Sequence, residues 1–356
     1  MRIIHLLPAL DHGGVESVVC DLNRALAGAG HESIVVSRGG GLVDRIVKDG
    51  GRHFALDLKS KNPLAYFLRA AALRKLLKSL VAPEMVVCVH SRVPAWLFAW
   101  ANRELSLPWI SYAHGANSVS RYSEIMTRGD RVIAPSRFLG GYLESNYGTR
   151  PGGATLKERL RIIPNCVDIE MFDPSRLDGA FVEAMRREWG LESRDFVTMS
   201  IGRITPLKGF DNVIRDFAEK GTATQDGRRR RLVIVGGADK GKDGCLRELE
   251  ALVAKLCPPG SVVFAGRQEK IAECISIADE IVSGNMTKPE SFGLAVAEAL
   301  AMEKPVRLLR RFGGAAEILD DVAAAGKPTT REAVRALYGF DVMRDRTLAV
   351  YREVAK

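Results

Sequence analysis

Short runs of aliphatic residues alternate with longer helical patterns along almost the whole chain. The first half contains RIIHLL, SIVVS, MVVCVH, PWISYA, RVIAPS and RLRIIPN, and the second half contains FVTMSIGR, RLVIVGG, SVVFAGR, DEIVSGN and KPVRLL. Strands that alternate with helices form βαβ units, which build parallel sheets with helices on both faces. The pattern therefore predicts an α/β protein with two doubly wound, Rossmann-like domains. Ligands bind beyond the carboxyl ends of such strands, so two facing halves imply a cleft with a contribution from each side.

The length of 356 residues also fits two domains, at roughly 100–200 residues per domain. A turn-rich segment over residues 168–178, which contains Pro174, is the predicted boundary. We therefore expect an N-terminal domain over residues 1–170 and a second domain over 171–337. The remaining segment, 338–356, is expected to contain a helix over 340–354.

The composition is that of a globular protein, with 46% hydrophobic and 27% charged residues and a net charge of +9. The apolar runs, such as residues 94–101, are much shorter than the ~20 residues of a membrane-spanning helix. The six cysteines include no CxxC pair and the first residues show no secretory cleavage pattern, so we expect a cytoplasmic protein with reduced thiols. The sequence has no helix-turn-helix, zinc-finger or RNP signature, so no nucleic-acid partner is expected.

Histidine is confined to the first third of the chain, at positions 5, 12, 31, 53, 90 and 114. Any imidazole chemistry is therefore predicted to come from the N-terminal domain. The same domain has two glycines, Gly13 and Gly14, at its first strand-to-helix turn, where the backbone can approach an anion closely. They are adjacent and no third glycine follows, so they do not form the dinucleotide fingerprint GxGxxG, and a plain turn is the alternative.

Two cations, Arg203 and Lys208, follow the first strand of the second half and stand five residues apart. The planar fork of an arginine and the point charge of a lysine both suit phosphate oxygens. On one loop at a strand tip they can converge on a single anion. A solvated pair of loop charges is the alternative.

An acidic loop leads into an apolar helix at about Gly293. The backbone N–H groups of Phe292, Gly293 and Leu294 would face a phosphate at the positive end of the helix dipole. Glu290 would lie beside this anion. Glu298 interrupts the apolar helix, so a hydroxyl-rich partner such as ribose would explain it, and an exposed helix face is the alternative.

Together these motifs resemble the retaining, GT-B-fold glycosyltransferases of family four, in the superfamily of glycogen synthase and sucrose synthase. The matching pieces cover nearly the whole chain: GGVE, HG at 114–115, VIAPS, IPNCVD, GRITPLKG, LVIVGG, VVFAGR, the Glu290–Glu298 pair and GGAAEIL. The resemblance implies two Rossmann-like domains that face each other across a cleft. It also implies that the C-terminal helix crosses back to the N-terminal domain.

The resemblance implies that the second domain binds a nucleotide sugar. Arg203 and Lys208 would bind the diphosphate, and Gly14 would approach the same phosphates from the N-terminal domain. Glu298 would hold the ribose hydroxyls and Glu290 the sugar hydroxyls.

The base and the acceptor side complete this assignment. The backbone of Gly266 and Arg267 would meet the base, and His114 would contact the transferred sugar from the acceptor side. A loop histidine whose hydrogen bonds are satisfied locally is the alternative for His114. The implied catalytic residues are Arg203, Lys208, Glu290 and His114.

The implied reaction is hexosyl transfer with retention from a donor such as GDP-mannose or a UDP-hexose. Two cations and a helix dipole can stabilise the leaving diphosphate, and the sequence has no Asp-x-Asp, HExxH or Cys/His cluster, so neither a metal nor another cofactor is expected. In such retaining enzymes the donor phosphate is thought to accept the proton of the acceptor. Glu290 would therefore position the sugar and would not act as a nucleophile.

A second local resemblance concerns the acceptor. The segments HSRVPAW at 90–96, HG at 114–115 and IMTRGD at 125–130 are similar to bacterial lipopolysaccharide-core transferases, which include core mannosyltransferases. The resemblance implies a Kdo-containing lipid A acceptor, which is anionic, and makes Arg92 a candidate for binding its carboxylate. A salt bridge with a nearby acid is the alternative for Arg92.

Residues 62–80 predict an amphipathic helix that carries several cations beside its apolar residues. This pattern suits peripheral docking on the anionic inner face of the plasma membrane. The alternative is a domain helix that packs its apolar face inward. The cations are Arg69, Arg74, Lys75 and Lys78.

Two other classes of protein compete with a glycosyltransferase. The segment from Gly236 to Lys242 fits the GxxxxGK of a P-loop NTPase, but Asp243 stands where Ser or Thr should hold magnesium. A catalytically lapsed GT-B binding protein is the second competitor. It gains support because Cys166 replaces a glycine of the family and because residues 310–311 are both arginine where small residues are usual.

Overall fold

The computed structural model describes residues 1–11, 13–59, 63–148, 155–238 and 243–355. The chain divides into two compact units. Unit 1 comprises Met1–Cys166 and Phe340–Lys356, and unit 2 comprises Val167–Gly339. The first transition therefore lies a few residues before the predicted position 170, and the second follows Gly339 where 337 was predicted.

Unit 1 is built on a sheet whose described strands are all parallel. These strands are β1 Arg2–Leu6, β2 Glu32–Ser37, β3 Arg52–Ala55, β4 Met85–Val89, β5 Trp109–Tyr112, β6 Arg131–Ala134 and β7 Leu160–Ile162. Their order across the sheet is β3-β2-β1-β4-β5-β6-β7. Every residue of β4 is buried, as expected for a central parallel strand that is covered by helices on both faces.

Helices connect these strands. They are α1 Gly14–Gly28, α2 Val43–Lys48, α3 Pro63–Leu80, α4 Arg92–Ala101, α5 Arg121–Glu124, α6 Arg137–Tyr147 and α7 Leu156–Arg159, with short 3-10 turns at Asn102–Glu104 and Ile125–Thr127. Helix α6 begins at Arg137, because the Ser136 hydroxyl accepts a hydrogen bond from the Leu139 N–H and caps the first turn.

Unit 2 has a smaller sheet, again with parallel strands. These are β8 Phe196–Ile201, β9 Arg230–Val235, β10 Val262–Gly266, β11 Glu280–Ser283 and β12 Val306–Leu308, in the order β10-β9-β8-β11-β12. The helices of unit 2 are α8 Gly179–Glu188, α9 Phe210–Lys220, α10 Gly244–Leu256, α11 Ile271–Ile277, α12 Leu294–Ala301, α13 Gly313–Ala324 and α14 Thr330–Tyr338, with a 3-10 turn at Pro206–Lys208.

The last helix, α15 Phe340–Val354, belongs to unit 1. Its buried residues, which include Leu348 and Tyr351, share a hydrophobic cluster with residues of α1, β4 and β5. The Tyr351 hydroxyl also lies 2.8 Å from the hydroxyl of Tyr112 at the end of β5. This hydrogen bond ties the end of the chain to the strand that precedes His114.

The prediction of two doubly wound parallel sheets is confirmed. Strand β3 and helix α2 were not predicted, because neither has a clear hydrophobic period. The sequence of β3 is RHFA, and its outer residues are exposed because it lies at the edge of the sheet. A short edge strand is recognised only by its pairing, here with β2.

The buried Tyr112–Tyr351 hydrogen bond generates a stability prediction. Tyr351→Phe leaves the Tyr112 hydroxyl without this partner in a buried site, so we expect the free energy of unfolding to fall by about 1–3 kcal/mol. Leu68→Ala is the control, since that side chain is 74% exposed and its loss should change the value by less than about 0.5 kcal/mol. Urea unfolding measures both. Equal midpoints for Tyr351→Phe and the wild type would contradict the assignment.

Candidate functional site

Lys208 and Glu290 form an ion pair at the carboxyl edge of the unit 2 sheet. Lys208 lies on the loop after β8, and Glu290 lies on the loop after β11, the neighbour of β8 in the sheet. The Lys208 ammonium donates a hydrogen bond to Oε1 of Glu290, and the two side chains are 32% and 18% exposed. The pair is therefore accessible from solvent but partly shielded from it.

Glycines make this approach of the two loops possible. Gly209 has a φ of +65°, and a Cβ there would lie 2.0 Å from the carbonyl oxygen of Gly284. A larger residue at either position would separate the loops. The aliphatic stem of Lys208 lies across Gly202. A Cβ added at Gly202 would come within 3.1 Å of the lysine Cε. Asn285 completes the contact by donating its side-chain N–H to the Leu207 carbonyl oxygen at 3.0 Å.

The loop that carries Glu290 is held against helix α13. The N–H of Gly314 donates to the Glu290 carbonyl oxygen at 2.8 Å. Helix α12 then starts at Leu294, with Gly293 at the N-cap in the left-handed region at φ +110°. Phe292 is buried and packs edge-on against the Tyr338 ring, so it could meet a ligand only through its backbone.

Four further predicted donor residues belong to unit 2. Arg203 is exposed on the loop that carries Lys208. Gly266, at φ +64°, ends β10 and is exposed, as is Arg267. Glu298 is partly buried on α12, so it is not the fully exposed helix-face residue of the alternative reading. Arg203 follows the carboxyl end of β8 and Arg267 follows that of β10, and ligands of such sheets bind beyond these ends.

Three histidine rings form a hydrogen-bonded array in unit 1, which we call the histidine array. Nδ1 of His5 lies 3.0 Å from Nε2 of His90, and Nδ1 of His90 lies 2.9 Å from Nε2 of His114. His5 is on β1, His90 follows β4 and His114 follows β5, and these three strands are neighbours in the sheet. The sequence indicated His114 alone. His5 lies near the carboxyl end of its strand, and His90 directly follows its own. These positions at strand ends are the signal that could have identified both residues.

Burial keeps the histidine array uncharged at neutral pH. It lowers the pKa of His5 to about 3 and the pKa of His114 to about 4. Burial also lowers the pKa of His90 well below its usual value, with a further contribution from the positive charges that His5 and His114 would carry. A positive charge on any ring would be desolvated and repelled by the others.

Aromatic stacking fixes the orientation of these rings. The His90 ring is stacked on Tyr112 with 4.7 Å between centroids, and it lies edge to edge with His114 at 5.2 Å between centroids. Tyr112 and His114 also line a small pocket of unit 1, together with Asn165 and Thr347. The predicted acceptor-side histidine is therefore held by hydrogen bonding and ring packing within unit 1.

Arg92 lies next to this group, at the start of α4. Its guanidinium donates a hydrogen bond to the Ser123 hydroxyl at 3.1 Å and lies 5.2 Å from the centre of the Tyr122 ring. Among the described residues no acidic side chain pairs with Arg92. Gly14 begins α1, and a Cβ there would meet no atom within 4 Å.

The predicted amphipathic helix α3 packs into unit 1. Its residues Leu73 and Leu77 are fully buried in the core. Arg69 pairs with Asp57, and Arg74 pairs with Glu104. The inward-packing alternative therefore describes this face of the helix, while the large apolar side chains of Phe67 and Leu68 are exposed. Residue 62 of the predicted stretch lies outside the described residues.

The two departures from the family pattern are accommodated locally. Cys166 is buried among hydrophobic residues of unit 1. Arg310 donates to the Met286 carbonyl oxygen at 2.6 Å and lies 4.7 Å from the centre of the Phe312 ring, so it supports the loop before Glu290. Arg311 forms an ion pair with Asp320. Of the P-loop-like segment, residues 239–242 lie outside the described residues.

Two properties were searched for in the described part of the chain. None of its helices is both long and apolar enough to span a bilayer. Nor do its His, Cys, Asp and Glu side chains form a group of three or more that is arranged to hold a metal ion.

Two family models match the chain. Residues 12–171 match Glycosyltransferase Family 4, and residues 181–334 match Glycosyl transferases group 1. The first match falls mainly on unit 1 and the second falls within unit 2. The chain thus has one segment similar to each of these two glycosyltransferase families.

Two curated relatives are also named as glycosyltransferases. A D-inositol 3-phosphate glycosyltransferase from Acidothermus cellulolyticus is 31% identical over 196 residues, which are 54% of this chain and 40% of that protein. A protein of the same name from Jonesia denitrificans is 27% identical over 338 residues, 83% of this chain and 74% of that protein. The chain thus spans about two fifths of the length of the first of these relatives.

Solved structures share the fold. A glycosyltransferase from Rickettsia africae ESF-5 has a TM-score of 0.82 and 22% identity over 99% of this chain and 98% of that chain. HepE of Anabaena, in complex with UDP and glucose, has a TM-score of 0.80 and 17% identity over 99% of this chain and 100% of that chain. WaaG, a glycosyltransferase involved in lipopolysaccharide biosynthesis, has a TM-score of 0.64 and 17% identity over 98% and 93% of the two chains. These likenesses confirm the predicted GT-B fold class.

The Lys208–Glu290 pair generates a binding prediction. Lys208→Met keeps the stem against Gly202 but removes the charge, so we expect the affinity for UDP or GDP to fall about 10- to 100-fold through the loss of a charge-assisted hydrogen bond. Lys220→Met is the matched control, because Lys220 forms an ion pair with Asp216 within α9. Isothermal titration calorimetry measures both variants. Equal affinities for the two variants would remove Lys208 from the site.

The lowered histidine pKa values generate a prediction of acid sensitivity. Unfolded histidine has a pKa of about 6.5, so the unfolded chain binds protons below that pH while the folded histidine array does not until about pH 4. The free energy of unfolding is therefore not reduced by these histidines above pH 6.5. It decreases as the pH falls towards 4, because only the unfolded chain binds the protons. Each such histidine steepens the fall in unfolding free energy by up to about 1.4 kcal/mol per pH unit.

Urea unfolding between pH 7 and pH 5 tests this, because most carboxylates titrate below that range. The slope should be shallower in His5→Leu than in the wild type. The half-buried His53 supplies the comparison, and His53→Leu should remove less of the slope. A slope that is unchanged in His5→Leu would show that His5 is protonated in the folded protein.

Proposed function

We propose that the chain transfers a hexose, with retention and without a metal ion or other cofactor, from GDP-mannose or a UDP-hexose to an anionic saccharide or glycolipid. The observation that carries the proposal is the Lys208–Glu290 pair at the carboxyl ends of two adjacent parallel strands. A cation and a carboxylate in contact there can bind the two halves of a sugar phosphate. The cation faces the phosphate, and the carboxylate accepts hydrogen bonds from sugar hydroxyls.

The donor phosphates would be stabilised by charge alone. Lys208 and Arg203 supply two positive side chains on one loop, and helix α12 supplies the partial positive charge of its N-terminus at Leu294. In this proposal Glu298 of α12 binds the ribose, and the backbone of Gly266 and Arg267, two exposed residues, meets the base. HepE is described as a complex with UDP and glucose, and a UDP-sugar is one of the two donors proposed for this chain.

Retention follows from attack on the same face of the sugar. The bond from the anomeric carbon to the donor phosphate breaks and the bond to the acceptor oxygen forms on the face that the phosphate leaves. The acceptor hydroxyl passes its proton to an oxygen of the departing phosphate. Glu290 is held by Lys208 and acts as a positioning group for the sugar, so no covalent intermediate on the chain is involved.

The acceptor would be recognised through Arg92. Its guanidinium is held by Ser123 and Tyr122 without an acidic partner among the described residues, so it can take a carboxylate or a phosphate of the acceptor. We assign the acceptor to the lipopolysaccharide core, a Kdo-containing lipid A precursor, on the resemblance of residues 90–130. The name of the curated relatives favours a second candidate, inositol 3-phosphate, in which the anion is a phosphate.

A lipid-linked acceptor would place the chain on the cytoplasmic face of the inner membrane. Contact through residues 62–80 would use the exposed Phe67 and Leu68 of α3 together with lysines of the same helix. Arg69 and Arg74 would contribute less, because they already pair with carboxylates of unit 1. The membrane contact is therefore proposed as peripheral and weak.

A thermal-shift panel of nucleotide sugars tests the donor. A ligand that binds only the folded chain raises the apparent stability by mass action, so GDP-mannose or a UDP-hexose should raise the melting temperature and ADP- or CMP-sugars should not. Glu298→Ala should abolish the shift while the chain stays folded. A shift with ATP and magnesium alone would favour the P-loop NTPase. Binding of a nucleotide sugar without any transfer would favour the lapsed enzyme.

Transfer assays with Arg92→Ala test the acceptor. With a Kdo-containing lipid A precursor we expect the KM for the acceptor to rise about tenfold, because a charge-assisted hydrogen bond is lost. Arg103→Ala is a control on the adjoining 3-10 turn. Transfer to inositol 3-phosphate and none to the lipid precursor would select the second candidate. Equal transfer by Arg92→Ala and the wild type would remove Arg92 from the acceptor site.

A further inference from the structure

Two of the three histidines in the histidine array have no role in the proposed reaction. His114 alone is assigned to the sugar, yet it is joined to two further rings that reach into the core of unit 1. His5 is fully buried on β1, and His90 is 2% exposed beyond β4. Buried histidines are tolerated where their nitrogens are paired, so the array requires an account of where each proton lies.

The direction of one hydrogen bond fixes the direction of the other. A neutral imidazole has one N–H donor and one acceptor nitrogen. His90 uses both of its nitrogens inside the array, Nε2 towards His5 and Nδ1 towards His114. It must therefore donate one bond and accept the other. The three rings share a single tautomeric state.

The buried end of the array sets this state. Nε2 of His5 is buried and has no hydrogen-bond partner among the described residues. A proton on that nitrogen would leave an N–H donor unpaired in the core, and orphaned buried N–H groups are rarer in proteins than under-satisfied acceptors. The proton of His5 therefore lies on Nδ1 and is donated to His90. His90 in turn donates its Nδ1 proton to Nε2 of His114.

We propose that His5 and His90 are positioning residues that hold His114 as an uncharged Nδ1–H tautomer. Nε2 of His114 is then occupied as an acceptor, and Nδ1–H is the group that the ring offers to a ligand. The stacked Tyr112 ring keeps the imidazoles from turning over, which would exchange a nitrogen for a carbon at each contact. The hydroxyl of Tyr112 is itself held by Tyr351.

The ligand chemistry that fits this donor is an oxygen acceptor, such as a sugar hydroxyl, and this part rests on the proposed function. His114 then orients the transferred sugar as a hydrogen-bond donor and does not remove a proton from it. That role agrees with a reaction in which the donor phosphate takes the proton. An uncharged donor also avoids placing a fixed positive charge beside the anomeric centre, where positive charge develops.

Nitrogen NMR of the whole chain tests the tautomer without any substrate. With 15N in the histidine rings, the protein should show His114 as a single Nδ1–H tautomer at pH 7, with His5 and His90 in the same state. The chain has six histidines, so single substitutions assign the signals. A His114 signal with Nε2–H, or with shifts averaged between the two tautomers, would overturn the proposal.

A matched pair of variants tests whether His5 is the cause. His5→Leu removes the donor to His90, so at least part of the His114 population should convert to Nε2–H. His5→Asn places an amide N–H near the position of Nδ1 and should recover most of the original state. His53→Leu is the control, because His53 bonds Ser37 outside the array. An unchanged His114 signal in a folded His5→Leu variant would show that His5 does not set the tautomer.

Transfer kinetics separate positioning from folding. In His5→Leu we expect kcat to fall about tenfold while the KM for the nucleotide sugar changes less than twofold, with partial rescue in His5→Asn. Equal losses in both variants would indicate a purely structural role and would overturn the positioning part. Absence of transfer in the wild type would refute the proposed function and leave the NMR result as the test of the tautomer.

Discussion

The arrangement of both units depends on the pairing of parallel strands that are covered on both faces. Such strands carry mainly apolar side chains, and groups that bind ligands commonly lie in the loops beyond their carboxyl ends. Lys208, Glu290, Arg92 and His114 all follow this rule. His5 breaks it, because it lies inside β1, and its Nδ1 is accommodated only through the hydrogen bond to His90. The fold thus concentrates chemistry at one edge of each sheet.

Both groups of candidate residues are partly or fully buried, and in both the polar side chains contact one another. In unit 2 the charge of Lys208 is balanced by Glu290, so two ionised groups can remain half-buried. In unit 1 the histidine array stays uncharged, and two hydrogen bonds join its three rings. A charged pair suits contact with phosphate and hydroxyls. A neutral array suits a group whose task is orientation.

The loop residues of unit 2 were predictable because their signals are local. Arg203, Lys208 and Glu290 stand directly after recognisable strands, and the start of α12 is marked by a glycine before an apolar run. The contact between Lys208 and Glu290 was not predictable, because it depends on β8 and β11 being neighbours in the sheet. Strand order is set by packing over long sequence separations. It leaves no mark on the spacing of either loop.

The sequence by itself determined the fold class, the parallel sheets and the strand ends at which functional residues lie, because hydrophobic period and turn residues are read over a few positions. Tertiary structure alone decided which of these ends meet. It placed α3 inward on Leu73 and Leu77, although its pattern also suits a membrane surface. It also joined His5, His90 and His114, which are far apart in the chain, because β1, β4 and β5 are adjacent. The burial of a residue and the direction of its hydrogen bonds depend on the residues packed around it, so they cannot be read from that residue's sequence position.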